Sequence, residues 1–527
     1  MIGLKKDLKL NKNKFRGLCP LNLLNMKRCL IFLVLSLSAT IAIAQTDESF
    51  DAFRKNALNG ISHYRDSIMT EYKDFRRRIN EDYANFLRGI WKEEKAAPNV
   101  PPIKDPTPNP PVVISEEDKN KPIEGNPILV EEEISPIPQP NPQPTPVVPI
   151  EEEHPSPVNP PFKHNFIFYG TNICVRLSPN QKFILKSLQP QTMGNAWERL
   201  SQDDYNNLIF DCLQIREDLT LCDWAYLKML NSLSESFLGK DSNEATFLTA
   251  YIFCQSGYRI RLGENKGKLY LLVGTPHQLY HHGYFEIDGL NYFVFNENPD
   301  NLYVCDVSFE GEQSLSLYIP MLPKLHENLS QKRTIKSERF PNITVTSQVN
   351  KNIIDFFNEY PTSCLGENHC TRWAMYAETP VCTPAEISVI EALRAKIKGL
   401  TEIEALNEIL NFVQTGFVYE YDDKVWGGDR AFFADESLYY AYCDCEDRSI
   451  LFSRLVRNLL GLKVMLVYYP GHLATAVKMK GQYSGDYIIY NNQKFIVCDP
   501  TYIGAPVGAT MPDMDNQKAK VIVLKLN

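Results

Sequence analysis

The chain has 527 residues and a net charge of −9, with 44% hydrophobic and 23% charged residues. That length exceeds a single hydrophobic core, so two or three domains joined by connecting segments are expected. The acidic balance and the lack of any long basic block exclude nucleic acid as a partner, because counterion release needs clustered Lys and Arg.

Near the start, Lys27 and Arg28 precede an apolar run from Leu30 to Leu37, and Ala42, Ile43 and Ala44 lead into Gln45. This is the layout of a secretory signal peptide. Residues 1–45 are therefore read as an upstream extension, ending before Met26, followed by a signal peptide. The apolar run is short for a bilayer, and no later stretch reaches the roughly 20 apolar residues of a spanning helix. The reading is a mature chain without a transmembrane segment, exported to the periplasm, the cell surface or the medium. Export permits disulfides, and the cysteines from Cys174 onward are odd in number, so at least one stays free or pairs between chains.

Residues 46–96 read as one long amphipathic helix. Phe50, Phe53, Ala57, Ile61, Tyr64, Ile68, Tyr72, Phe75, Ile79, Tyr83, Phe86 and Ile90 recur in steps of three, four and four. That is an 11-residue repeat of about 3.67 residues per turn, which gives a nearly straight helix or a weakly right-handed coiled coil. A single apolar stripe must be buried, either by self-association or docking on a partner, or by folding back on the chain's own globular part.

Residues 97–163 are dominated by proline and read as an extended linker. Within it Pro111–Asp118, Pro127–Glu133 and Pro146–Glu153 repeat a pattern of proline, β-branched residues and an acid cluster. The charge and the polyproline stiffness predict an extended spacer, with strand addition to a partner as the lesser alternative.

Residues 164–340 and 341–527 read as two α+β regions with a common plan of one helix followed by antiparallel strands. In the first, a helix over 243–254 ends at Gly257 and leads into strands at 258–262, 268–273, 284–287 and 292–295. In the second, a helix over 446–460 ends at Gly461 and leads into strands at 463–468, 474–477, 486–489 and 494–497. The plan suggests either a duplicated fold or two unrelated α+β domains. In a duplication the first copy lacks the chemistry, because Asp241, Ser242 and Asn243 stand where its helix begins. Helices are also expected over 352–358, over 385–397 behind a Thr383-Pro384 start, and over 401–413.

The densest chemical signal is Cys443-Asp-Cys-Glu-Asp447 at the start of the second helix. A thiol at a helix N-terminus gains thiolate character from the dipole, while Glu446 and Asp447 oppose it, so Cys445 needs a base nearby. Gly471-His472 opens one strand and Asp499-Pro-Thr501 closes another. Cysteine on a helix, with histidine and acid on successive strands, can converge as nucleophile, base and orienter. Cys498 alternates with Asp499 and so faces the opposite way as a buried structural thiol. Cys364, His369, Cys370 and Cys382 fit no standard zinc spacing, and export favours a disulfide among them. His277, His281 and His282 read as ordinary surface or core residues. No cofactor or metal is expected.

From about residue 400 to 527 the chain resembles the transglutaminase-like superfamily of the papain-like fold, closest to bacterial transglutaminase-like cysteine proteinases. The family motif Gly-Asp-Cys-Glu-Asp stands here as residues 443–447, its histidine strand as His472-Leu-Ala474, and its acid as Asp499-Pro-Thr501. Residues 411–419 fit the family's lead-in helix. The sequence departs from the pattern at Cys443, where glycine is usual, and after His472, where an aromatic residue is usual. A disulfide of Cys443, even to Cys445, would silence the thiol. The resemblance implies an enzyme of peptidase, amidase or acyltransferase type acting on protein or peptide amides. Cys445 would be the nucleophile, His472 the base and Asp499 its orienter, and the Cys445 backbone amide would join an oxyanion hole. Gln414 and Trp426 are the side-chain candidates for the second oxyanion donor. The competing function is a catalytically silent binding or scaffold protein at the cell envelope.

Overall fold

The computed structural model describes residues 48–101, 110–118, 123, 125–134, 144–147, 150–152, 162–202, 205–309, 311–366 and 368–525. The signal-peptide segment lies outside the described residues. No helix among the described residues is long and apolar enough to cross a membrane.

Helix α1 (Glu48–Leu87) follows from the uninterrupted three-four-four stripe. Its C-terminal end is buried on the chain's own globular part. Tyr83 stacks on Trp197 and Phe309 at 4.2 and 4.5 Å between ring centroids. Asn80 Oδ1 accepts from Trp197 Nε1 and Gln255 Nε2 at 2.9 and 3.0 Å. Of the two fates expected for the stripe, its last turns take the intramolecular one. The side chains before residue 67, on which self-association would depend, lie outside the described residues.

The rest is mixed α+β with several antiparallel sheets. In chain order the strands are β1 (Lys92–Lys95), β2 (Val130–Ile134), β3 (Lys163–Phe168), β4 (Thr171–Arg176), β5 (Ile260–Asn265), β6 (Lys268–Gly274), β7 (His277–Leu279), β8 (Tyr284–Ile287), β9 (Leu290–Phe293), β10 (Asn301–Cys305), β11 (Arg333–Lys336), β12 (Thr344–Ser347), β13 (Ser363–Leu365), β14 (Val418–Tyr419), β15 (Tyr442–Cys443), β16 (Lys463–Tyr469), β17 (His472–Lys478), β18 (Tyr487–Tyr490), β19 (Gln493–Cys498) and β20 (Ala519–Val523). The helices that matter below are α2 (Pro190–Leu200), α3 (Asn206–Asp218), α4 (Asp223–Leu238), α5 (Asn243–Gln255), α6 (Lys351–Asn358), α7 (Thr371–Glu378), α8 (Glu402–Gly416), α9 (Asp422–Val425), α10 (Ala434–Tyr439) and α11 (Cys445–Leu460).

Two six-stranded sheets share one strand order. The first runs β1-β10-β5-β6-β9-β8 and the second β2-β20-β16-β17-β19-β18. Helix α5 packs on β5 and β6 with α4 behind it, as α11 packs on β16 and β17 with α8 behind it. The outer edge differs: β1 joins β10 antiparallel, whereas β2 joins β20 parallel. Helices α2, α3 and α4 have no counterpart in the sequence reading. Helix α4 buries Trp224, Ala225, Tyr226, Leu227, Met229 and Leu230 in near succession, so no one-sided stripe announces it.

Where the structure describes it, the proline-rich stretch is not a free spacer. Each of its three repeats places one β-branched residue in a hydrophobic cluster: Ile114 beside Tyr502 and Ala505, Ile128 on the outer face of the second sheet, and Val147 in the main core. The backbone follows, with Val113 bridging Ile503, β2 lying on β20, and Val147 N–H donating to Gln255 O at 3.1 Å. Proline bars central-strand pairing but tolerates an edge, which is where these segments lie. Glu132, from the second acid cluster, forms an ion pair with Lys520 at 2.8 Å.

Candidate active site

Helix α11 starts at Cys445, with Asp444 as an extended N-cap and Gly461 closing it in the left-handed region (φ 62). Strand β17 starts at His472, opposite Tyr469 across the Pro470-Gly471 turn. Ser449, one turn into the helix, donates through Oγ to Leu473 O at 2.7 Å and fixes the helix against the residue after His472.

His472 Nε2 lies 2.9 Å from Asp499 Oδ2. Asp499 Oδ1 accepts the backbone N–H groups of Thr501 and Tyr502 at 2.9 and 3.2 Å, so the carboxylate is oriented from both sides. A carboxylate only accepts, so Nε2 carries the proton and Nδ1 is left as the basic nitrogen. That Nδ1 is buried and has no hydrogen-bond partner among the described residues.

The Cys445 sulfur meets the backbone N–H of Leu473, immediately after His472. Its thiol nevertheless hydrogen-bonds Glu446 Oε2 at 3.1 Å, and no Cys445–His472 hydrogen bond is present among the described residues. Burial pushes the Cys445 thiol well above its ordinary range, Glu446 and Asp444 push it further, and the Leu473 amide pulls the other way. Cys445, His472 and Asp499 are all buried, at 2%, 2% and 1% exposure.

Gln414 is not free to stabilise an oxyanion. Its Nε2 donates to the carbonyls of Asp499, Tyr502 and Ala505 at 3.0, 2.7 and 3.1 Å, and its Oε1 accepts from Gly504 N–H at 3.1 Å. The expected oxyanion role is corrected to that of a clamp on the loop carrying Asp499. Trp426 is half-buried, packed against Tyr440 and under the Arg430 guanidinium at 4.4 Å. Tyr419 carries a buried hydroxyl with no partner among the described residues, and its pKa is raised by burial and by the nearness of Cys445.

An unanticipated feature is the density of carboxylates around the sulfur. Asp422 Oδ2 accepts from Arg430 N–H at 2.6 Å, and Asp447 accepts from the N–H groups of Phe432 and Asp444 at 2.7 and 3.2 Å. Burial first, then mutual repulsion, raises the pKa of Asp422, Asp444 and Asp447. The Arg372 guanidinium, which opposes the rise at Asp422, is paired with Asp429. Ligand atoms of Asp422, Asp429 and Glu446 lie within 4.8 Å of one another, as do those of Asp444, Cys445 and Glu446. The first is an all-carboxylate set of the kind a hard divalent cation takes. In the sequence, Asp444, Glu446 and Asp447 of the cysteine motif are visible contributors, whereas Asp422 and Asp429 lie on an aromatic-rich loop ahead of it.

The remaining cysteines form no disulfide among the described residues, and all eleven from Cys174 onward are free thiols. The expected bridge within the Cys364, Cys370 and Cys382 group is therefore corrected. Cys382 N–H instead donates to Asp435 at 3.1 Å, and Cys370 Sγ lies 3.5 Å from His369 Nε2. Cys443 is buried, and burial raises its thiol pKa while the nearby Arg448 guanidinium lowers it. Cys498 is fully buried in the main core. No protein-family model matches this chain, and no curated protein matches it either.

Proposed function

We propose that the chain is an exported thiol enzyme of transglutaminase-like type that cleaves or transfers at protein or peptide amide bonds. The observation that carries this is the His472–Asp499 pair, held with Nδ1 buried and unpartnered on the strand whose next amide meets the Cys445 sulfur. Rotation of the thiol from Glu446 toward Nδ1 would let His472 take its proton. The sulfur then attacks the amide carbonyl, a C–S bond forms, the C–N bond breaks, and His472 protonates the departing amine. Water or a second amine completes the cycle. The shared strand order of the two sheets supports a duplicated papain-like fold with the chemistry retained in the second copy.

A second reading, a catalytically silent binding or scaffold protein at the cell envelope, is favoured by the Cys445–Glu446 hydrogen bond and the raised thiol pKa. Iodoacetamide labelling across pH, mapped by mass spectrometry, separates the two. Selective modification of Cys445 below the roughly 8.5 of a free thiol, lost in His472→Ala, is the result expected of the enzyme. An unreactive or His472-independent Cys445 selects the binding protein.

A further inference from the structure

With Gln414 occupied as a clamp, the acyl transfer proposed above has one oxyanion donor in place. That donor is the Cys445 backbone N–H, which opens helix α11 and so has no helical carbonyl ahead of it. A second donor has to come from a side chain that faces the same first turn. Tyr419 meets this requirement by its place in the fold. Strands β14 and β15 pair in parallel with Tyr419 opposite Cys443, just ahead of the nucleophile, and Glu420 N–H donates to Cys443 O at 3.4 Å. The neighbouring pair on this ladder, Val418 and Tyr442, is exposed, so the alternation of strand side chains turns Tyr419 and Cys443 inward.

The ring is then held against the helix. Arg448 lies one turn on from Cys445 on the same helical face, and helical side chains lean back toward the N-terminus. Its guanidinium stands over the Tyr419 ring at 5.3 Å and is itself fixed by donating to Gln414 O and Phe417 O at 3.1 and 2.8 Å. Tyr421 meets the same ring edge-on, 5.5 Å between centroids. The Tyr419 hydroxyl is buried with no hydrogen-bond partner among the described residues, an exception to the rule that buried hydroxyls are paired. Burial raises its pKa most, and the Cys445 sulfur next, ahead of Asp444 and Glu446, so the phenol keeps its proton beside the thiol.

We propose that the Tyr419 hydroxyl is the second oxyanion donor of this site, an assignment that rests on the thiol-enzyme reading. As the Cys445 sulfur bonds to the amide carbon, the carbonyl π pair moves onto oxygen, and the Tyr419 O–H and the Cys445 N–H both donate to it. Collapse returns the pair to the carbonyl, the C–N bond breaks, and the amine leaves with the proton carried by His472. Tyr419 keeps its own proton throughout.

The test compares two reactions of Cys445 in the full chain. Acylation by 4-nitrophenyl acetate passes through a tetrahedral oxyanion, whereas alkylation by iodoacetamide displaces iodide and forms none. The ratio of the two rates at one pH cancels the thiolate fraction. Tyr419→Phe keeps the ring under Arg448 and removes only the hydroxyl, so the ratio should fall about 100-fold, the scale of losing one oxyanion donor, while alkylation keeps its rate. The melting temperature should hold or rise, because an unpartnered buried hydroxyl stabilises nothing. Mass spectrometry maps the acetyl group, with Cys445→Ser as the blank. An unchanged ratio would overturn the donor role and leave the thiol-enzyme reading standing. Equal losses in both reactions would overturn it too, making Tyr419 a positioning residue for the sulfur. A parent chain that takes no acetyl group at Cys445 would overturn the thiol-enzyme reading and this assignment with it.

Discussion

Ser449 Oγ donates to the carbonyl of Leu473 across 2.7 Å, and through this bond the helix that begins at Cys445 is fixed to the strand that begins at His472. Both groups are buried, so Ser449→Ala leaves the carbonyl without its side-chain donor. The expected cost is about 1–3 kcal/mol, read in chemical denaturation as a lower midpoint with unchanged slope.

Gln414→Ala removes the amide that ties together the carbonyls of Asp499, Tyr502 and Ala505. A clamp predicts a stability loss of at least about 1–3 kcal/mol and a looser acid loop, seen as faster amide exchange over 499–505. An oxyanion donor would instead lower turnover while leaving the melting temperature in place.

Glu446→Gln keeps the shape beside the thiol and removes a negative charge. The pH midpoint for alkylation of Cys445 should move down by about one unit or more, the scale of a close like-charge effect. No movement would mean that burial alone holds the thiol protonated.

Burial raises the carboxyl pKa of Asp435 to about 6 and of Glu436 to about 7. Their folded-state values lie above the unfolded ones, so their stabilisation is complete below the ordinary carboxylate range and is lost as pH rises through 6 and 7. The melting temperature should therefore fall between pH 5 and pH 8, with Glu436→Gln flattening the decline. A melting temperature that rises over that interval would contradict this.

Ile128→Ala tests whether the proline-rich segment is structural. Ile128 is 4% exposed on the outer face of the second sheet, and its truncation should cost about 2–5 kcal/mol. A tethered spacer would show no change in thermal unfolding.

Local pattern was enough for the elements whose periodicity is one-sided or whose ends are marked. The helix up to Leu460 is legible from its apolar spacing and from Gly461, and the β16–β17 hairpin from two β-rich runs around Pro470-Gly471. The order of Cys445, His472 and Asp499 on such elements was legible for the same reason, because thiol, imidazole and carboxylate are each placed at an element's end. Helix α4 was not, since a helix buried on most of its sides carries no stripe.

What only the tertiary structure decided is how these groups face one another. The sequence contains Glu446, but not that its carboxylate accepts a hydrogen bond from the Cys445 thiol at 3.1 Å while His472 Nδ1 stays unpartnered. It contains Gln414, but not the three carbonyls, more than eighty residues away, that occupy its amide. It contains three proline-rich repeats, but not the cores that receive Ile114, Ile128 and Val147. Local spacing reports on neighbours within a few turns. Hydrogen-bond partners and burial are set by packing between segments far apart in the chain, and there the geometry of the second sheet, not the motif, determines whether the thiol is free.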